Sequence, residues 1–344
     1  MLHAETNGAI SAPVPEGRIE PARAVARSLV SGTRVALVTH VNADGDGAGS
    51  EVALWHLLTD RGVRAVIANP TPFPTRFAFL LDGIEQADKS NAAARYIKNA
   101  DVILVVDISD LDRLGNLGQI VAEAGVFVAC IDHHLSDGSF LDGSRLVDST
   151  ACATGELVYD LATACNWGIR AEAAQALYVA ILTDTGGFRF SNTTPRALHV
   201  AAALSSRGID PEGVYHQVYA SNPEGRIRLI GDVVDTLVVE PDSGLAWVTV
   251  PAGALERHGV NADQLDGIVE YPRSIAGVRL ALLFRRLANG RVKVSFRSMG
   301  DVNVAKLAET FGGGGHRRAA GALLEGSLAE VQEEVLRAAR ESLR

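Results

Sequence analysis

Arg34-Val35-Ala36-Leu37-Val38-Thr39-His40-Val41-Asn42-Ala43-Asp44-Gly45-Asp46-Gly47-Ala48-Gly49-Ser50 decides how the rest of the chain is read. Val35 to Val38 is a short continuous apolar run, the pattern of a strand buried on both faces. His40 closes it. Asp44 and Asp46 follow between glycines, and the spacing predicts a helix from Ser50. One imidazole and two carboxylates therefore sit at the carboxyl end of a buried strand, the edge where open parallel sheets bind ligands. Acidic groups packed there repel one another unless a cation is shared. The plain alternative is a glycine-rich turn whose aspartates bond to nearby amides.

Working outward, the pattern repeats. Asp101-Val-Ile-Leu-Val-Val-Asp107 holds five apolar residues, four of them β-branched, and ends in Asp107. Val126 to Ile131 is a further apolar run and ends in Asp132-His133-His134. Ala65 to Ala68 is a shorter one. Helical segments between them give a βαβ rhythm, hence a doubly wound, mostly parallel α/β sheet. Ala171 to Leu182 reads as a helix and runs into Thr183-Asp184-Thr185-Gly186. Four separate elements thus deliver His40, Asp44, Asp46, Asp107, Asp132, His133, His134 and Asp184 to one edge. Carboxylates rarely gather without a cation. Imidazole and carboxylate without thiolate suit Mn²⁺ first, with Mg²⁺ or Co²⁺ as alternatives. Two such ions about 3.5–4 Å apart clamp an in-line displacement at phosphorus, and Asp107, alone on its strand end, is the natural bridge.

The bulk composition fits this reading. The chain has 344 residues, 47% apolar and 21% charged, enough for about two domains. A net charge of −9 excludes a protein that coats long nucleic acid by bulk attraction. Three cysteines without a Cys-x-x-Cys pair argue against a disulfide framework or structural zinc. The N-terminus lacks a signal-peptide core, and no apolar run approaches the ~20 residues that span a membrane. The expected location is the cytoplasm. Residues 1–17 read as a mobile tail, 18–207 as the first domain, 208–225 as a linker and 226–344 as a smaller α+β domain. The last of these carries Ser295-Phe296-Arg297-Ser298 and Gly312-Gly313-Gly314-Gly315-His316-Arg317-Arg318. Glycines let amides approach a phosphate closely, and the basic residues add charge; a flexible turn is the plain alternative.

His40-Val-Asn-Ala-Asp44-Gly-Asp46, Asp107 after its strand, Asp132-His133-His134 and Asp184-Thr-Gly together resemble the DHH phosphoesterase superfamily. The glycine-rich histidine motif is similar to that of the DHH-associated domain in oligonucleotide-degrading members. The resemblance covers the chain from about residue 20 onward. It implies a catalytic domain and a substrate-binding domain with a cleft between them. It also implies one metal on His40, Asp44 and Asp107, and another on Asp46, Asp107, His133 and Asp184. Asp132 would orient a neighbouring ligand, and His134 would meet the scissile phosphate or its leaving group. Arg297, Ser298, Gly313, Gly314, Gly315 and His316 would hold the substrate. Within the superfamily the two-domain length looks most similar to the branch that degrades short RNA and dephosphorylates adenosine 3′,5′-bisphosphate. The RecJ-type exonucleases carry an added domain, and family II pyrophosphatases lack the glycine-rich histidine motif. Cyclic- or linear-dinucleotide hydrolysis is the rival activity, and a catalytically silent nucleotide sensor the rival of another class. The expected partners are short single-stranded RNA and the bisphosphate, with no membrane. A homodimer is left open.

Overall fold

The structure, a computed structural model, describes residues 10–84, 86, 90–108, 110–134 and 143–344. It divides into two compact units, the first ending at Ser221 and the second running from Asn222 to Arg344.

The first unit is built on five strands, β1 (Arg34–Val38), β2 (Arg64–Ile67), β3 (Val102–Val106), β4 (Phe127–Asp132) and β5 (Arg145–Val147), in the order β2-β1-β3-β4-β5. All four pairings are parallel. Period-2 alternation explains why the apolar runs are continuous. Val35, Leu37, Val102, Leu104 and Val106 enter the core on one face, and Ala36, Val38, Ile103 and Val105 enter the core on the other. The helices of this unit are α1 (Glu16–Ala26), α2 (Gly45–Thr59), α3 (Ser90–Asn99), α4 (Gly118–Ala122), α5 (Thr154–Ala164), α6 (Ala171–Asp184), α7 (Pro195–Ser205) and α8 (Pro211–Tyr215). In this strand order the direction of winding reverses between β1 and β3, so the crevice at their carboxyl ends is the binding position of the fold.

Three boundaries differ from the sequence reading. The first helix of the site begins at Gly45 rather than Ser50, because Asp44 caps it through the amides of Asp46 and Gly47. The glycines there serve packing rather than a turn. A Cβ at Gly49 would lie 2.5 Å from the Ala176 carbonyl, and one at Gly45 would collide with Thr183, so α2 can lie directly on α6 only with glycine at these places. The expected tail is docked over its described part: Ala12 is buried, its amide donates to the Tyr159 hydroxyl at 3.0 Å, and α1 starts at Glu16. Residues 1–9 of that tail lie outside the described residues. The expected linker, residues 208–225, contains α8, capped by Asp210, and a π-helical stretch His216–Ala220. Val214 and Val218 belong to the first unit's core.

The second unit holds a six-stranded mixed sheet whose strands lie in the order β10 (Gly314–His316), β11 (Ala319–Leu324), β9 (Val292–Ser298), β8 (Leu280–Arg286), β7 (Leu245–Thr249) and β6 (Val238–Glu240). Only β7 and β8 run parallel. Its helices are α9 (Glu224–Val234), α10 (Ala254–Arg257), α11 (Glu270–Arg273), α12 (Val304–Glu309) and α13 (Leu328–Ser342), the last with a Ser327–Glu330 capping box. Among the described residues no helix is long and apolar enough to cross a membrane.

Candidate metal centre

The carboxyl ends of β1, β3 and β4 and the abutting ends of α2 and α6 bring the expected residues together. His40 follows β1. Its Nδ1 lies 3.0 Å from the Val41 carbonyl, and its buried Nε2 has no hydrogen-bond partner among the described residues. That Nε2 stands 3.4 Å from Asp107 Oδ2 and 4.0 Å from Asp44 Oδ2. On the other side, His133 Nε2 lies 3.6 Å from Asp46 Oδ2, 3.7 Å from Asp107 Oδ1 and 3.8 Å from Asp184 Oδ2. Asp107 thus turns one carboxylate oxygen toward His40 and the other toward His133. His40, Asp44 and Asp107 form one group able to hold a cation, and Asp46, His133 and Asp184 form another.

Electrostatics make the grouping costly without a cation. Burial, then the charges of Asp46 and Asp44, push the Asp107 carboxyl well above its ordinary range. Burial, then Asp46, raises Asp184 to about 8. His133 is raised to about 9, because Asp46, Asp184 and Asp107 outweigh the burial that alone would lower it. A divalent cation would offset this crowding of negative charge. An orphaned imidazole nitrogen aimed at crowded carboxylates, with no thiolate among them, fits hard or borderline divalent ions.

Asp107, His133 and His134 form a third group able to hold a cation, with His134 Nδ1 3.7 Å from Asp107 Oδ1, but that Nδ1 is also engaged by Asp132. Asp132 is fully buried, and its Oδ1 lies 2.6 Å from His134 Nδ1 and accepts from the His134 amide at 3.2 Å. The carboxylate that was expected to orient a neighbour therefore orients His134. The sequence reading missed Arg113, whose Nη1 donates to the Asp107 carbonyl and stands 3.4 Å from His134 Nε2. It also missed Asn69, which accepts from the Thr39 amide at 3.0 Å and donates to the buried Glu51 at 2.7 Å, fixing the strand end beneath His40. Burial raises the Glu51 carboxyl to about 8. Thr154 and Asn192 were missed as well. Each is a single polar residue on an irregular segment or helix end, where no periodicity marks it.

The motifs of the second unit are also placed. Gly312 to His316 is no loose turn: Gly314 to His316 form an edge strand paired with β11. A Cβ at Gly315 would lie 2.6 Å from the Ala319 carbonyl, and one at Gly313 would collide with the Gly321 carbonyl, whereas Gly314 has open space. Arg297 is half-buried, 3.4 Å from Glu270, which also pairs with Arg273. Ser298 is fully buried and donates its hydroxyl to the Val302 carbonyl at 2.7 Å, so that group is spent inside the fold. The side chain of His316 lies outside what the structure describes.

A doubly wound sheet carrying an imidazole–carboxylate centre at its winding reversal, joined to a separate mixed-sheet unit, defines the class. The model of the DHH family, N-terminal domain, matches residues 34–181, and that of the DHHA1 domain matches residues 245–344. The chain is 34% identical to the bifunctional oligoribonuclease and PAP phosphatase NrnA of Thermus thermophilus, over 89% of each protein. It is 27% identical to the protein of the same name in Bacillus subtilis, over 84% of this chain and 88% of that one. Among solved structures, an exopolyphosphatase-related protein from Bacteroides fragilis superposes with a TM-score of 0.87 at 27% identity, covering 97% of this chain and 99% of that one. RecJ from Thermus thermophilus in complex with Mn²⁺ shares the fold, with a TM-score of 0.59 at 14% identity over 97% of this chain and 55% of its own. The chain belongs to the DHH family.

Proposed function

We propose that this chain is a two-metal phosphoesterase that hydrolyses short oligoribonucleotides to mononucleotides and dephosphorylates adenosine 3′,5′-bisphosphate. The observation that carries the reading is Asp107, with one carboxylate oxygen toward His40 and the other toward His133. The substrate class follows from the relatives named oligoribonuclease and PAP phosphatase. His40, Asp44 and Asp107 would hold one divalent ion, and Asp46, Asp107, His133 and Asp184 the other, with Mn²⁺ the ion this donor set favours first. Bound there, the ions supply Lewis-acid polarisation of the phosphoryl oxygens and a nucleophile at neutral pH. His134, held by Asp132 through Nδ1, serves the proton of the departing ribose oxygen, and Arg113 beside it offers positive charge to the phosphoryl group. Arg297, Gly313, Gly314, Gly315 and His316 bind the substrate, while Ser298 shapes the end of β9. Three cysteines without disulfides suit a reducing cytoplasm.

The test is Mn²⁺-dependent release of mononucleotide from a 5′-labelled RNA trimer, with adenosine 3′,5′-bisphosphate and cyclic di-AMP run in parallel. Hydrolysis of the first two with cyclic di-AMP untouched is expected. Preference for cyclic di-AMP would replace the substrate assignment, and saturable binding without turnover would replace the enzyme by a sensor. Gly314→Ala separates binding from folding. Open space at this position means the fold should tolerate the methyl, with Tm within about 1 °C. If backbone here closes on the substrate, KM for the trimer rises roughly tenfold, about 1.4 kcal/mol. An unchanged KM would remove Gly314 from the binding site.

A further inference from the structure

One turn, Cys152 to Gly155, is tied to three of the proposed ligands. The Thr154 amide donates to Asp46 Oδ2 at 2.6 Å and the Gly155 amide to Asp46 Oδ1 at 2.9 Å. The Thr154 hydroxyl donates to Asp107 Oδ1 at 3.1 Å. Asn192 Nδ2 joins the Cys152 carbonyl, at 2.8 Å, to Asp184 Oδ2, at 3.1 Å. Thr154 is fully buried and opens α5, so its amides also bring the positive end of a helix of 11 residues to the carboxylates. A carboxylate oxygen that accepts one hydrogen bond keeps a lone pair in a fixed direction. The turn therefore sets where Asp46 and Asp107 can aim.

We infer that Thr154 is a positioning residue that fixes the Asp107 carboxylate as the bridge between the two cation groups. This rests on the two-metal reading above. The hydroxyl donates to Oδ1 and so holds the plane of the carboxylate between His40 and His133. The backbone amide to Asp46 does not depend on the side chain, so the hydroxyl can be removed by itself.

Thr154→Val keeps the branched shape and deletes the hydroxyl; Thr154→Ser keeps the hydroxyl and deletes the methyl. Titration of the metal-free protein with Mn²⁺ alone, followed by calorimetry, reads affinity without turnover. Thr154→Val is expected to bind Mn²⁺ about 10–100-fold more weakly, the usual effect of losing a group that orients a ligand. Its kcat at saturating Mn²⁺ falls while KM changes less, and Thr154→Ser restores both. Wild-type affinity in Thr154→Val overturns the inference. So does a Thr154→Ser as weak as the valine variant, which would make the methyl, not the hydroxyl, the determinant. If Thr154→Val fails to fold, the serine variant still decides. Wild-type protein that binds no Mn²⁺ would sink the two-metal reading itself, a result distinct from either of these.

Discussion

Asp107→Asn is expected to lose roughly a thousandfold or more in turnover while making the metal-free protein more stable. Asparagine is the right replacement because Asp107 has φ 63°, a left-handed conformation that Asn and Asp adopt more readily than other side chains. Shape and acceptor capacity toward Thr154 survive; only the charge is lost. Lewis-acid stabilisation by a metal is worth several kcal/mol, and about 4 kcal/mol is roughly three orders of magnitude in rate. Removing the charge also relieves a buried cluster in which Asp46 and Asp44 repel Asp107. The metal-free variant should therefore melt above the metal-free wild type, and Mn²⁺ should raise its Tm far less than it raises that of the wild type. Paired thermal melts with and without Mn²⁺, beside the trimer assay, check this. Full activity in saturating Mn²⁺, or a metal-free variant less stable than wild type, would show that Asp107 is not the bridge.

The candidate cluster was legible because His40, Asp107 and Asp132 to His134 close apolar strand runs, and such runs can be read without a structure. Val102 to Val106 is buried on both faces, so its hydrophobicity is continuous and its end conspicuous. The strand order was not legible, since period and propensity say nothing of which strands pair. α5 escaped notice for the opposite reason to an exposed helix. Residues 154 to 162 are all buried, and its Glu156 and Asp160 are spent on ion pairs inside the fold rather than on a solvent-facing stripe. The glycines from Gly45 to Gly49 read as a turn because glycine usually marks one. Here they let α2 approach α6, a reason that lies in the partner helix and not in the local sequence. Ser298 shows the converse: its place in a motif suggested ligand contact, but its burial assigns the hydroxyl to Val302. Arg113 and Thr154 had no signal at all, because one polar side chain near a strand end or helix start is ordinary.

Arg18→Met should destabilise the protein by about 3–5 kcal/mol, the usual cost of breaking a buried ion pair from one side. Arg18 lies outside the matched range 34–181, on α1, yet it is buried and donates to Asp148 at 2.6 Å, Glu156 at 2.6 Å, Asp160 at 2.8 Å and Thr150 at 3.2 Å. Methionine fills similar apolar volume but leaves Glu156 and Asp160, among the described residues, with Arg196 as their one remaining ion-pair partner. At roughly 2–4 °C per kcal/mol for a unit of this size, Tm should fall by about 10 °C. The loss is also pH-dependent. Burial raises Asp160 to about 6, against an unfolded value near 3.9. Its ionisation therefore costs the fold stability as pH rises through that window, and Arg18 limits the cost. The variant should lose more at pH 7 than at pH 5, where Asp160 is already largely neutral in the fold. The effect reaches the metal centre as well, because Glu156 also accepts from the Cys152 amide at 3.0 Å and so steadies the turn that carries Thr154. Weaker Mn²⁺ binding by Arg18→Met, well below its Tm, is the expected consequence. Unchanged Tm would show that the helix contributes no stability through this residue, and unchanged Mn²⁺ affinity with a lowered Tm would confine Arg18 to stability alone.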